Sequence, residues 1–502
     1  MRFPRAGGVL LHPTSLPGPH GAGDLGPAAY HFVDWLVAAG QRLWQMLPLG
    51  NIGAGHSPYM SPSAFAGNVL LIDLAELQAH GWLAADELDP PPAFAAPRID
   101  FAALIPWRRQ RLERAAQRFF AHASEEHRVR FDTFCASHAS WLDDYALFMA
   151  LVEAHPGRTW SEWDAPLARR DPAALAQAGA AHADAVRFHR FCQWRFFEQW
   201  AALRRHANER GVQIVGDAPI YVAYHSAEVW AHPGLFELDE ARRPHVVAGV
   251  PPDYFSATGQ RWGNPLYRWP AHAADGYAWW IERVRRTFEL VDIVRIDHFR
   301  GFAHYWEIPA AEPTAIHGRW RVGPGAALFK AIAAALGPLP IIAEDLGIVT
   351  PDVGVLRRRF AFPGMRVLQF AFAEGSRNPY LPHHHEPDSV VYTGTHDNDT
   401  TLGWWAAASE HERAHALAYL GSDGREIHWD LIRAALASVS DTAIVPLQDV
   451  LGLGGEHRMN RPGEGEGHWG WRFDWGQVRP EHAQRLAAMA RLYGRDGTPA
   501  PD

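Results

Sequence analysis

The sequence predicts an α/β fold, a (β/α)8 TIM barrel with helical and loop insertions. Three observations predict it. Eight short apolar runs read as buried strands, and most are continuous rather than alternating, as parallel strands covered on both faces require. Helical patterns lie between several of those runs. The first run, inside GGVLLHPTSLPG, lacks the G-x-G-x-x-G spacing of a doubly wound nucleotide-binding sheet. A chain of 502 residues suggests about three domains on length alone, yet barrels with insertions also reach this size.

In chain order the runs are 8–12, 43–49, 213–222, 291–298, 340–345, 365–372, 390–396 and 443–450. Helical patterns at 275–290, 325–336 and 411–420 supply crossovers, and no other sheet pattern is read between them. Residues 1–50 hold the first two strands. The insertion 51–210 carries helical stretches at 101–124, 133–153 and 181–209 and reads as a mostly helical subdomain, with a proline-rich connector at 90–97. Residues 211–502 hold the rest of the barrel. Within them, 224–270 has few helical signals and reads as a loop region over the C-terminal mouth, where barrel active sites lie. Residues 451–502 are too few for a C-terminal β-sandwich domain of roughly 100 residues. The tail 494–502 reads as disordered.

Composition narrows the partners. The formal charge is −9 with no long run of either sign, which argues against nucleic acid and anionic membranes. No window approaches the 18 apolar residues of a membrane span, and the apolar stretch at 7–11 is too short for a signal-peptide core. The two cysteines, Cys135 and Cys192, have no metal-type spacing, so a reducing, cytoplasmic setting is the expectation. The 22 tryptophans stand out, because indole faces stack on the apolar C–H faces of sugars; packing of cores and seams is the plainer use for most of them.

Three strings carry the chemistry. VRIDHFRG (294–301), IIAEDLG (341–347) and GTHDNDT (394–400) each place a carboxylate just after a strand-like run, in the order Asp, Glu, Asp. Carboxylates from three strand ends suit glycosidic-bond chemistry, which needs a nucleophile, a protonated acid and negative charge to hold the sugar. Arg295 and Asp297 share a strand face, so the arginine is expected to lower the pKa of Asp297 and keep it ionised. Glu344 and Asp345 point to opposite sides, and periodicity leaves open which faces the axis; Asp397 and Asp399 pose the same choice. His396 is placed to donate a hydrogen bond. GDAPIYVA adds Asp217, and SPYMSPSAFAGN adds Tyr59. The adjacent His383, His384 and His385 lack the geometry of a metal site, and no H-E-x-x-H or paired C-x-x-C motif occurs, so neither metal nor cofactor is expected.

Together with GGVLLHPTSLPG, GVPPDYFSATGQRWGNPLY and VPLQDVLGLGGEHRMNRPG, these strings resemble the 4-α-glucanotransferases (amylomaltases or disproportionating enzymes) of glycoside hydrolase family seventy-seven, in the α-amylase clan. The resemblance runs through nearly the whole chain. It implies transfer of a segment of an α-1,4-glucan to the 4-hydroxyl of glucose or another glucan, by a retaining double displacement and without a cofactor. It implies Asp297 as nucleophile, Glu344 as acid/base, and Asp397 as the third carboxylate. Arg295, His298 and His396 match residues at the cleaved bond; Tyr59, Asp217 and Trp262 match substrate contacts. The aromatic loop around Tyr254–Trp262 is expected to close over the site. The expected state is a monomer or weak homodimer.

Overall fold

A computed structural model describes residues 3–252, 256–347 and 350–497. Its strands are Ala6–Leu10 (β1), Leu43–Gln45 (β2), Gln213–Ala218 (β3), Val246–Val250 (β4), Gln260–Pro265 (β5), Ile293–Ile296 (β6), His304–Pro309 (β7), Arg319–Val322 (β8), Ile341–Ala343 (β9), Gly364–Val367 (β10), Ser389–Tyr392 (β11) and Thr442–Pro446 (β12).

Eight of these form one parallel sheet in the order β10-β11-β12-β1-β2-β3-β6-β9. They correspond one for one to the eight apolar runs. The sheet curls until its ends meet: the Ala343 amide donates to the Pro363 carbonyl at 2.9 Å, and the Met365 amide donates to the Asp345 carboxylate at 2.7 Å. The seam between β9 and β10 is therefore stitched partly by a side chain. Gly364 is required there, because a Cβ would lie 2.3 Å from an Asp345 oxygen. Asp345 is also 3.3 Å from Arg357, which pairs the buried charge.

Between β2 and β3 run the long helices Phe101–His122, Glu125–Ala154 and Ala183–Glu209. Ser124 is not the last residue of the first of these but the N-cap of the second. Its side chain accepts from the His127 amide, and Glu125 and Glu126 follow in the first turn, so that helix starts before the stretch read from 133. One continuous buried cluster runs from barrel residues such as Val215 and Ile342 into these helices at Leu142, Trp194 and Trp200. Fourteen of the 22 tryptophans are buried in it, and Trp44, Trp160, Trp194, Trp200, Trp230 and Trp471 are fully so.

Two expectations are corrected. The region 224–270 is not only loop, and a second sheet does exist. β4 and β5 pair antiparallel and join β7 and β8 in the order β5-β4-β7-β8. Glycines at 249 and 263, a proline at 265 and the charged alternation of β8 broke up the apolar signal that marks a strand. The tail 494–502 is also ordered at its start. Arg495 is wholly buried and donates to the carbonyls of Ala6, Ala435, Leu436, Ser438, Ser440 and Asp441. Residues 498–502 lie outside the described residues.

Candidate active site

The C-terminal ends of the barrel strands bring the site together by register. Asp217 on β3 is the direct partner of Arg295 on β6, and Ile296 is the partner of Ala343 on β9. One step further, Asp297 and Glu344 leave adjacent strands side by side. Main-chain bonds hold this rim: the Asp297 amide donates to Ala218 (3.0 Å), Glu344 to Ile296 (3.1 Å) and Phe299 to Glu344 (3.2 Å). Arg295 and Asp297 share a face, as the period of two requires.

Arg295 is the hub. It is almost wholly buried and donates to Asp217 Oδ2 at 2.6 Å and to Asp297 Oδ1 at 3.1 Å. Asp217 has no exposed side chain and also accepts from the Tyr59 hydroxyl at 2.7 Å. Burial pushes Tyr59 well above the usual phenol range, so it keeps its proton for that bond. Its oxygen lies 2.8 Å from His396 Nε2. Burial lowers the His396 pKa; the neutral ring therefore carries its proton on Nε2 and donates to Tyr59, with Asp397 Oδ2 at 3.3 Å. Tyr59 stacks on His396 (5.4 Å, 16°), and Trp469 leans against both.

His298 adopts a left-handed backbone (φ 52°, ψ 45°), a conformation uncommon outside glycine and often held at functional sites. That turn aims its amide at Glu344 Oε2, 2.7 Å away, while the Leu346 amide reaches Oε1 at 3.1 Å. Burial drives the His298 imidazole down to about 3, so it is neutral, and its Nε2 has no protein partner. Trp262 on β5 meets it edge-on at 4.9 Å.

The two ambiguous carboxylate pairs separate. Glu344 opens to the mouth, whereas Asp345 belongs to the seam. Asp397 opens to the mouth with 39 % of its side chain exposed, whereas Asp399 accepts from the Thr400 amide just ahead of helix Thr401–Ala407. The expected low pKa of Asp297 is corrected. Burial raises it well above the usual carboxylate range, Arg295 pulls against that, and Asp217, Glu344 and Asp397 add to the rise. Burial raises Glu344 as well, against Arg295 and the two amides.

Sequence reasoning missed Asn460 and Arg458. Asn460 Nδ2 donates to Asp397 Oδ1 at 2.6 Å, and Arg458 donates to the Asp397 carbonyl at 2.5 Å. Their signal was the polar turn HRMNR after the last barrel strand, which has no hydrophobic period to mark it. His383 and His384 turn to Ser376 O and His385 to Tyr380 O. Among the described residues no group of three or more His, Cys, Asp or Glu is placed to hold a metal ion, and no helix is long and apolar enough to cross a membrane. Tyr254 and Phe255, the first residues of the expected closing loop, lie outside the described residues.

The family described as "4-alpha-glucanotransferase" matches residues 11–477. A 4-alpha-glucanotransferase of Thermus thermophilus is 52% identical over 99% of this chain and 100% of its own length. One from Synechocystis is 49% identical over 98% of both. The structure of an amylomaltase from Streptococcus agalactiae in complex with acarbose superposes with a TM-score of 0.95 at 38% identity, covering 98% of this chain and 99% of that one. The chain belongs to the 4-alpha-glucanotransferase family.

Proposed function

We propose that transfer runs through two displacements at Asp297, with Glu344 as acid and then base and Asp397 holding the sugar at the cleaved bond. One observation carries the reading. Asp297 and Glu344 leave adjacent strands at the same level, beside a single buried guanidinium. Neighbouring strands lie about 4.8 Å apart, close to the roughly 5–5.5 Å that separates the carboxyls of a retaining pair.

The proton follows from the charges. The Glu344 charge acts on Asp297, so the two carboxyls titrate as a pair. Arg295, in contact with Asp297, works against its burial and favours the anion there, and in this reading Glu344 supplies the proton. In the first step Glu344 protonates the leaving oxygen while Asp297 attacks the anomeric carbon. In the second, Glu344 takes a proton from the acceptor hydroxyl, and the acceptor displaces Asp297 with net retention. Asp397, held by Asn460, accepts hydrogen bonds from sugar hydroxyls. The unpartnered Nε2 of His298 faces a substrate hydroxyl, and Trp262 packs on the sugar beside it. Tyr59 and Asp217 are already bonded within the protein, so in this reading they position His396 and Arg295. The substrates are α-1,4-glucans, with glucose or a second glucan as acceptor.

The test is incubation with maltotriose. Chains of four or more glucoses should form with little free reducing end gained, and Asp297→Ala should abolish them. Substantial transfer by that variant would falsify the nucleophile assignment. Net hydrolysis by the unaltered enzyme would replace transfer with cleavage.

A further inference from the structure

The small antiparallel sheet has one edge inside the site, where Trp262 of β5 meets His298, and the other edge in solvent. That outer edge is β8, every residue of which is exposed. Register places Trp306 opposite Trp320 and His304 opposite Val322, so these four share one face. Trp320 is 40% exposed, Val322 75% and nearby Ile316 45%. The two indoles meet at 5.1 Å and 67°. The Arg300 guanidinium lies 4.1 Å from the centre of the Trp320 ring, which fixes its orientation. Beside them His304 Nδ1 and Asp352 Oδ2 pair at 2.8 Å.

We propose that this face is a second, non-catalytic platform for an α-1,4-glucan chain, centred on Trp320. The inference rests on the glucan-transfer reading. Its chemistry fits a sugar polymer: an apolar ring face finds the indole, and hydroxyl edges find the His304–Asp352 pair. Trp306 packs inward on Val247, Ile308 and Ala315, whereas Trp320 beside it stands partly in water, and exposed apolar patches rimmed by polar groups mark binding surfaces. The platform is tied to the active site through the segment 298–303. Arg300 is two residues beyond His298, its charge interacts with Glu344, and β8 is tied back to that segment by the Gly323 amide on Ala303 O at 2.8 Å. A glucan longer than the cleft can run from the Glu344 side onto Trp320 and gain binding from a second contact on the same chain.

The test uses Trp320→Ala and Trp320→Phe in the full chain, with far-UV circular dichroism and Tm to establish that both fold. Loss of one stacked ring should raise the ratio of the KM for soluble amylose to that for maltotriose by about fivefold in Trp320→Ala. Trp320→Phe should restore most of it. Retardation of the Ala variant in a native gel containing amylose should weaken in parallel. An unchanged KM ratio with unchanged retardation overturns the proposal. So does a concentration-dependent dimer in sedimentation that Trp320→Ala abolishes with no effect on amylose, which would make the edge a contact between copies. If the unaltered enzyme fails to lengthen maltotriose but the variant still loses amylose retardation, the transfer reading fails while the platform stands.

Discussion

At the scale of single residues, Arg295 governs where the proton sits. Arg295→Gln removes the cation that opposes the rise in the Asp297 pKa. The carboxyl then needs a higher pH to ionise, so the acid limb of kcat/KM should move to higher pH. The value at the optimum should fall about 10²–10³-fold. A pH profile with maltotriose decides it; an unmoved acid limb removes Arg295 from control of that proton. This hub was half legible in the sequence. The R-x-D spacing placed Arg295 on the Asp297 face, since a strand's period needs nothing but the strand. The choice of Glu344 over Asp345 was not legible from periodicity, because it depends on β10 arriving alongside with the Met365 amide and on Arg357 lying behind it. Asn460 was invisible for a similar reason: its role exists only once its loop folds back over Asp397.

At the scale of elements, the eight barrel strands were readable because burial on both faces makes each an unbroken apolar run. The side sheet was not. Its strands are short, half-solvated and cut by glycine, and one of them, Arg319–Val322, is an exposed edge with charges at alternate positions. Such strands are stabilised by cross-strand neighbours, which a single sequence does not display. Helix ends were similarly blurred, and Ser124 is the clearest case. Ser124→Ala should cost about 1 kcal/mol by freeing the first-turn amides of helix Glu125–Ala154. Thermal denaturation should register that loss while maltotriose transfer stays unaltered. A stability equal to the parent would mean that water caps the helix as well as the hydroxyl does.

Across the whole molecule, the first strand meets the last described segment. Arg495 ties the start of β1 to the end of helix Ile427–Ala437 and the turn that precedes β12 through six carbonyls, and the Gly7 amide returns a bond to the Arg495 carbonyl at 3.1 Å. A lone arginine amid glycine, aspartate and proline carried no period and read as a tail. Arg495→Met keeps the apolar stem but strands those acceptors in a dry pocket. The loss should be about 3–5 kcal/mol, seen in calorimetry as a Tm lower by several degrees. An unchanged Tm would show the cage to be dispensable. The seam between β9 and β10 has the opposite character. There one carboxylate substitutes for main-chain pairing, and the residue just before it is Glu344. Warming that loosens the cylinder along this line therefore reaches the proton donor first, and catalysis fades while most of the staves are still in place.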